Sequence, residues 1–132
     1  MIAGRVVMLS MVAALIMASV VAVTAPLLPR LFSSDDAVVS RATSGLLLLA
    51  VLLLPGAPAF AYDGVLIGAA DYKFLGRAAF GYLLAVVPIA AVVLFVPSAG
   101  IAGIWVGLIA WMVLRAMVNR RRVEFVLPHP NN

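Results

Sequence analysis

Long stretches without a single charged residue constrain this chain more than any other feature. One runs from Val6 to Leu28, a second from Ala42 to Tyr62, and a third of 37 residues from Ala78 to Leu114. A bilayer core of about 30 Å is crossed by about 20 helical residues. The first two stretches are each long enough for one crossing, and the third is long enough for two.

A turn-forming segment, Val96-Pro97-Ser98-Ala99-Gly100, divides the third stretch. The sequence therefore predicts an all-α, polytopic membrane protein within residues 1–118 and a basic tail over 119–132. Composition favours lipid as the surrounding medium: 66% of the residues are hydrophobic and 11% are charged, against about 45–50% and about 25% in soluble domains. The four predicted transmembrane spans are 5–26, 43–70, 77–96 and 99–118.

The positions of lysine and arginine predict how the spans are oriented. With four spans, both termini and the loop after the second span share one side of the membrane. That side has seven basic residues and the other has two, Arg30 and Arg41. Cytoplasmic loops carry the excess of basic residues, so we expect a multi-pass protein of the plasma membrane with both termini in the cytoplasm. The seven are Arg5, Lys73, Arg77, Arg115, Arg120, Arg121 and Arg122.

The segment between the first two spans predicts a helix that starts outside the membrane. Pro26 and Pro29 end the first helix, because proline lacks a backbone donor. Ser33 and Ser34 are suitable N-caps for the next helix, which we expect to begin near Ser34. From there to Ala70 a helix would be roughly 55 Å long, too long for one straight crossing. Pro55-Gly56-Ala57-Pro58 is therefore predicted to break it, and Pro88 interrupts the third span in the same way. These positions are either a functional hinge, which the closeness of the first break to Asp63 favours, or simple kinks.

Two alternatives treat an apolar segment as a cleaved targeting signal. Residues 1–25 carry Arg5 ahead of an apolar run, and 46–61 end in Ala59-Phe60-Ala61, which resembles a small-residue cleavage site. The first has Pro26 directly after its candidate cleavage point, and the second lies deep in the chain. Both are followed by further spans, which disfavours cleavage.

Asp63 is the one formal charge well inside a predicted span, about 12 Å from the end of its helix. A carboxylate at such a depth costs about 2.5–3.5 kcal/mol on insertion scales and normally faces a bundle interior or an aqueous cavity. It is either a site for a proton or cation, or a hydrogen-bonding group that fixes helix packing through neighbouring backbone or Tyr62. The sequence favours neither.

Glycines spaced four apart predict close contacts between helices. Gly64 and Gly68 form such a pair in the second span, and Gly103 and Gly107 form one in the fourth. This spacing favours helix packing over ligand binding as the role of both pairs. Trp111 and Arg115 are one turn apart and are expected to anchor the end of the fourth span, with the arginine reaching outward to the interface.

Several function classes find no support in the sequence. The absence of cysteine excludes disulfides and thiolate metal sites. No Ser/His/Asp arrangement, phosphate loop or metal-ligand cluster is present, so neither an enzyme nor a resident cofactor is expected. Arg120–Arg122 are typical of a stop-transfer cluster, and no basic helix or aromatic-basic platform predicts a nucleic-acid partner. The single histidine, His129, lies in the polar tail.

One motif is specific enough to suggest a family. The stretch from Tyr62 to Leu75, with its Asp-Gly-(hydrophobic)3-Gly-Ala-x-Asp pattern from Asp63 to Asp71, closely resembles the end of the tenth helix in multidrug and toxin extrusion (MATE) transporters of the DinF-like branch. The segment Leu31–Val38 resembles that family's link between helices nine and ten. The last span, from Gly103-Ile104-Trp105 to Leu114-Arg115, resembles its final helix.

The resemblance implies a transporter of twelve helices in two lobes, which exports organic cations or other amphiphiles in exchange for protons or sodium. This chain would supply helices nine to twelve, and its partners would be the lipid bilayer, the remaining helices and a small organic substrate. Asp63 and Asp71 match the motif and are the candidates for proton or cation coupling, or for helix positioning. Two further hypotheses are a free-standing assembly or regulatory subunit, and a small dimeric exporter that uses Asp63.

Overall fold

The computed structural model describes residues 2–95 and 100–127. This part of the chain has four long α-helices, each with a segment long and apolar enough to cross a membrane. The predicted all-α membrane fold with four transmembrane helices is confirmed. The helices are α1, Ile2–Thr24; α2, Asp36–Gly68; α3, Tyr72–Phe95; and α4, Gly100–Val126; a short 3-10 helix, Leu28–Leu31, lies between α1 and α2.

Helix α2 is the centre of the bundle. Helix α1 packs along it, α4 packs along it as well, and α3 packs mainly on α4. The residues buried between the helices are mostly small. Small residues let the helix backbones approach closely, which stabilises the bundle in lipid, where the hydrophobic effect does not drive helices together. Many large apolar side chains face outward instead, as expected when lipid surrounds the bundle. The small buried residues include Ala14, Ala18, Ala50, Ala59 and Ala61.

The start of α2 is fixed by an aspartate cap. Asp35 Oδ1 accepts hydrogen bonds from the backbone N–H groups of Ala37, at 2.8 Å, and Val38, at 3.3 Å. The predicted serine caps are therefore replaced by Asp35, and Ser33 Oγ instead accepts from the Asp35 N–H at 3.1 Å. Thr43 Oγ1 donates to the carbonyl of Ala25, at 3.2 Å, and so ties α2 to the end of α1.

The predicted break in α2 is wrong. The helix continues from Asp36 to Gly68 with Pro55 and Pro58 inside it, and α3 continues through Pro88 in the same way. Each proline removes only one backbone donor, and a neighbouring helix can accommodate the freed carbonyl in a membrane bundle. Gly56, between the two prolines, is buried. The length of α2 is accommodated because its first turns precede the apolar part of the helix.

Helix α4 continues beyond the predicted end of the fourth span. It ends at Val126, because the arginine-rich segment after 118 has no helix-breaking residue before Pro128. The predicted turn at Pro97-Ser98-Ala99 and the lone His129 lie outside the described residues.

Gly64 and Gly68 differ from Gly107 in their surroundings. A Cβ atom on Gly64 or Gly68 would meet nothing within 4 Å in the described part of the chain, so the close approach of another helix at this pair stays a prediction. A Cβ atom on Gly107 would lie 2.2 Å from Ile89 Cγ2. The close approach predicted at Gly107 is confirmed, and it brings α4 against α3 beside Pro88.

Replacing Gly107 with alanine is expected to destabilise the bundle by about 1–3 kcal/mol, because the added methyl overlaps the branched Ile89 side chain. The measurement is the unfolding free energy of the purified chain in detergent. Gly64→Ala is the matched control and should change it little, since a methyl there meets open space. Combining Gly107→Ala with Ile89→Ala should recover part of the loss. Equal effects of Gly107→Ala and Gly64→Ala would contradict this contact.

Candidate functional site

One face of α4 carries the polar residues that hold the bundle together at one end. Arg115, Asn119 and Arg122 are spaced four and three residues apart and therefore lie on the same side of the helix. Asn119 is fully buried. The three side chains meet the end of α2, the start of α3 and the turn between them. We call this end, where Arg5, Lys73 and the arginines of α4 lie, the basic end.

Asp63 of α2 is held by two donors from this face. Arg115 Nη2 donates to Asp63 Oδ2, and Asn119 Nδ2 donates to Asp63 Oδ1 at 2.5 Å. The side chains of Arg115 and Asp63 are 23% and 14% exposed, so the ion pair is largely withdrawn from the surface. Each oxygen of the carboxylate therefore has a partner, and one of the two partners is a positive charge.

The third helix joins the same network through Tyr82. Its hydroxyl donates to Asn119 Oδ1 at 2.8 Å, and the Tyr82 residue is buried. Asn119 thus donates to α2 with its amide nitrogen and accepts from α3 with its oxygen. A single side chain of α4 connects all three helices.

The Arg115 guanidinium also lies near two aromatic rings. Its central carbon is 5.2 Å from the ring centroid of Phe60 and 5.5 Å from that of Trp111, distances at which a cation is attracted to a ring face. Arg115 Nε and Trp111 Nε1 are buried and have no hydrogen-bond partner among the described residues. Both residues border a largely apolar recess of about 430 Å³ between α2, α3 and α4.

A second ion pair lies closer to the basic end. Arg122 Nε donates to Asp71 Oδ2 at 2.7 Å, and its side chain and that of Asp71 are 33% and 15% exposed. The guanidinium carbon of Arg122 is 5.1 Å from the Phe74 ring centroid and 5.2 Å from that of Phe125. Two turns of α4 therefore separate two arginines that each combine an aspartate with a pair of aromatic rings.

The turn after α2 places Asp71 for this contact. Ala70 has a φ of 56°, the left-handed conformation that commonly ends a helix. The Ala70 N–H donates to the Ile67 carbonyl at 2.9 Å, and the Asp71 N–H donates to the Leu66 carbonyl at 3.0 Å. These two bonds form a Schellman motif. Because the chain reverses within these residues, Asp71 stands at the start of α3 and faces α4.

The hydrogen bond from Arg122 holds the pKa of the Asp71 carboxyl below its ordinary range. Partial burial acts in the opposite direction and raises this pKa. The positive charge of Arg122 and a backbone hydrogen bond from Phe74 lower it further. A lowered folded-state pKa means that the carboxylate stabilises the fold above its unfolded pKa, about 3.9, and that this contribution is lost as the pH falls through the lower folded value.

We therefore expect the chain to be more stable than its Arg122→Gln variant at neutral pH, with the difference shrinking towards zero below about pH 4. The measurement is the thermal midpoint of both proteins in detergent between pH 7 and 3. Arg77→Gln is the control. Arg77 has no ion pair among the described residues, so the difference in thermal midpoint between this variant and the parent chain should not change with pH. A constant gap for Arg122→Gln would contradict the assignment.

The structure brings together some of the residues singled out in the sequence and separates others. Asp63 and Asp71 both contact α4, whereas a Cβ atom on Gly64 or Gly68 would meet no described side chain within 4 Å. The prediction that Arg115 reaches outward is wrong, because a nearby carboxylate satisfies its charge inside the bundle. Tyr82 and Asn119 were missed. The available signal was the position of Asn119 one turn after Arg115, on the face that also carries Arg122.

Comparison with known proteins gives one family. The MatE family profile matches residues 1–92. Protein DETOXIFICATION 42 of Arabidopsis thaliana is 32% identical over 121 residues, which are 92% of this chain and 23% of the relative. Protein DETOXIFICATION 43 of the same plant is 34% identical over 92 residues, which are 70% of this chain and 17% of the relative.

The chain thus spans less than a quarter of the length of these curated relatives. No solved structure gives a significant match to it. The matched residues include α1, α2 and most of α3, and with them Asp63, Asp71 and Tyr82. On the profile match and the identity to these relatives, the chain belongs to the MatE family, the multidrug and toxin extrusion transporters.

Proposed function

We propose that this chain is part of an efflux transporter that moves small organic compounds, organic cations among them, out of the cell in exchange for protons or sodium. Family membership carries the proposal, and the relatives' name, DETOXIFICATION, is in keeping with export of harmful compounds. The motif from Asp63 to Asp71 favours the DinF-like branch.

In this proposal the chain supplies helices nine to twelve of a twelve-helix protein in the plasma membrane, with both termini in the cytoplasm. The remaining helices are its partners. Transporters of this kind work by rocking one lobe or repeat against another around a fixed site. Four helices that cover 23% of a relative lack the second lobe against which to move, so transport requires the rest of the protein.

Within this transporter we assign Asp63 and Asp71 to helix positioning rather than to binding the coupling ion. Both oxygens of Asp63 already accept hydrogen bonds, and Arg115 already neutralises its charge. A sodium ion or proton would have to displace Arg115 and leave a cation without its partner in a low-dielectric site, which is costly. Asp71 is paired with Arg122 in the same way.

The part-transporter proposal is tested by reconstituting the chain in liposomes with an imposed proton or sodium gradient and following a fluorescent organic cation. We expect no gradient-driven flux from the chain alone. Robust flux would contradict the proposal that further helices are needed.

The efflux proposal itself is tested with a chimera in which this chain replaces the matched segment of DETOXIFICATION 42. The chimera should retain the parent's export, measured in the same vesicles, and removal of the segment should abolish it. A correctly inserted chimera without export would count against a shared function. Asp63→Asn in the chimera separates the two roles of Asp63: a positioning residue affects stability and leaves the coupling-ion requirement unchanged, whereas a coupling residue changes that requirement.

A further inference from the structure

The outward side of α3 carries two basic residues above a stripe of large apolar ones. Lys73 and Arg77 are one helical turn apart, and both are exposed. Phe80, Leu84 and Val87 continue at spacings of three and four residues on the same side, and they are 64%, 56% and 59% exposed. We call these five residues the α3 outer face.

This face points away from the rest of the chain. The residues that α3 turns towards the recess and α4, among them Leu75, Ala79, Tyr82 and Val86, lie on the opposite side of the helix from Lys73 and Arg77. The outer face is thus turned away from α2 and α4, and α3 lies at one edge of the described bundle, with α1 at the other.

The two basic residues differ from three of the four arginines of α4 in their charge partners. Arg115, Arg120 and Arg122 each pair with a carboxylate. Lys73 and Arg77 form no ion pair within residues 2–95 and 100–127. Two positive charges therefore stand side by side at the basic end, with an apolar stripe directly beneath them.

We propose that the α3 outer face binds an anionic phospholipid of the leaflet at the basic end. The phosphate lies between the Lys73 ammonium and the Arg77 guanidinium. The ammonium attracts it as a compact point charge, and the planar guanidinium can donate two hydrogen bonds to it. An acyl chain lies along Phe80, Leu84 and Val87. Arg77 and Val87 are ten positions apart, a rise of about 15 Å along the helix. This equals half of a hydrocarbon core of about 30 Å, so headgroup and chain fit one leaflet.

A lipid suits this surface better than another helix does. Contacts between membrane helices are enriched in small residues that let backbones approach, whereas the apolar part of this face consists of large side chains. The basic part lies at the end of the span, at the level of lipid headgroups, where each lysine or arginine attracts anionic lipid.

The experiment is native mass spectrometry of the detergent-purified chain with equal amounts of phosphatidylglycerol and phosphatidylcholine. We expect preferential retention of phosphatidylglycerol, reduced by about fivefold for each charge removed, and so lost in Lys73→Gln/Arg77→Gln. Arg30→Gln/Arg41→Gln is the matched control: it removes two charges from the opposite end and should keep the preference. Equal retention of the two lipids, or loss of the preference in both double variants, would overturn the proposal.

Further measurements separate a lipid site from simple phosphate binding and from misfolding. Inorganic phosphate should fail to displace the lipid, and Phe80→Ser should weaken retention while both charges remain. Lys73→Arg/Arg77→Lys keeps both charges and should retain phosphatidylglycerol. Loss in this swapped variant, or full retention after Phe80→Ser, would contradict the assigned geometry. Because lipid retention requires no transport, its failure would leave the efflux proposal untouched.

Discussion

Replacing Arg115 with leucine is expected to destabilise the chain by about 3–5 kcal/mol, the cost of leaving one charge of a buried pair without its partner. The variant strands the Asp63 carboxylate, which is 14% exposed, between α2 and α4. The measurement is the unfolding free energy of the purified protein in mixed detergent, followed by its helical circular dichroism. It is the largest effect we expect from a single substitution.

Two companion variants make this expectation specific. Arg120→Leu removes another arginine of α4. The side chains of Arg120 and its ion-pair partner Glu124 are 66% and 54% exposed, and surface pairs contribute about 0–1 kcal/mol. We therefore expect this variant to lose at most about 1 kcal/mol. Adding Asp63→Leu to Arg115→Leu should recover most of the lost stability, because an apolar pair replaces the stranded charge. If Arg115→Leu proved as mild as Arg120→Leu, the pair would not stabilise the bundle.

Replacing Asn119 with leucine is the second large expected loss. The change leaves both Tyr82 Oη and one oxygen of Asp63 without their partner, and each buried group that loses its hydrogen bond costs about 1–3 kcal/mol. We expect a loss of roughly 2–4 kcal/mol from these two contacts together, measured by the same detergent unfolding. Because Asn119 is fully buried, water from the surface would not compensate.

The tyrosine provides a check on this interpretation. Tyr82→Phe should cost about 1 kcal/mol, the net value of one hydrogen bond, and it should cost almost nothing once Asn119 is already leucine. Tyr72→Phe is the control, since Tyr72 is 63% exposed. Independent, additive losses from Tyr82→Phe and Asn119→Leu would show that the two side chains do not act through a shared contact.

The membrane environment and the helices were predictable because both depend on local composition. A charge-free run of sufficient length predicts a crossing helix regardless of what surrounds it, and the helix count is correct for that reason. The wrong predictions applied local sequence rules to features that the packing of neighbouring helices determines. The Pro55-Gly56-Ala57-Pro58 segment would end a helix in water, yet α2 continues through it. Arg115 would reach outward on a lone helix, yet a carboxylate of α2 holds it inside.

The identity of the site could not be read from spacing along the chain. Asp63 lies 52 positions from Arg115 and 56 from Asn119, and Tyr82 lies 37 from Asn119. Asp63 stands out in the sequence because a charge inside a span is rare. Asn119 does not, because one amide beside an arginine cluster resembles any polar helix end. Nothing in α2 alone indicates which helix satisfies its carboxylate.

The sequence by itself determined that this chain is suited to lipid, that it holds four segments long and apolar enough to cross a membrane as helices, and that one of these segments carries a carboxylate. These properties follow from the free energy of placing each side chain in hydrocarbon, which is nearly independent of the neighbours. Only the tertiary structure decided that Arg115 and Asn119 hold Asp63, that Arg122 holds Asp71, and that Gly107 rather than Gly64 is a close contact. Those outcomes depend on how the helices are rotated and offset against one another, since a turn of one helix by 100° would exchange every partner.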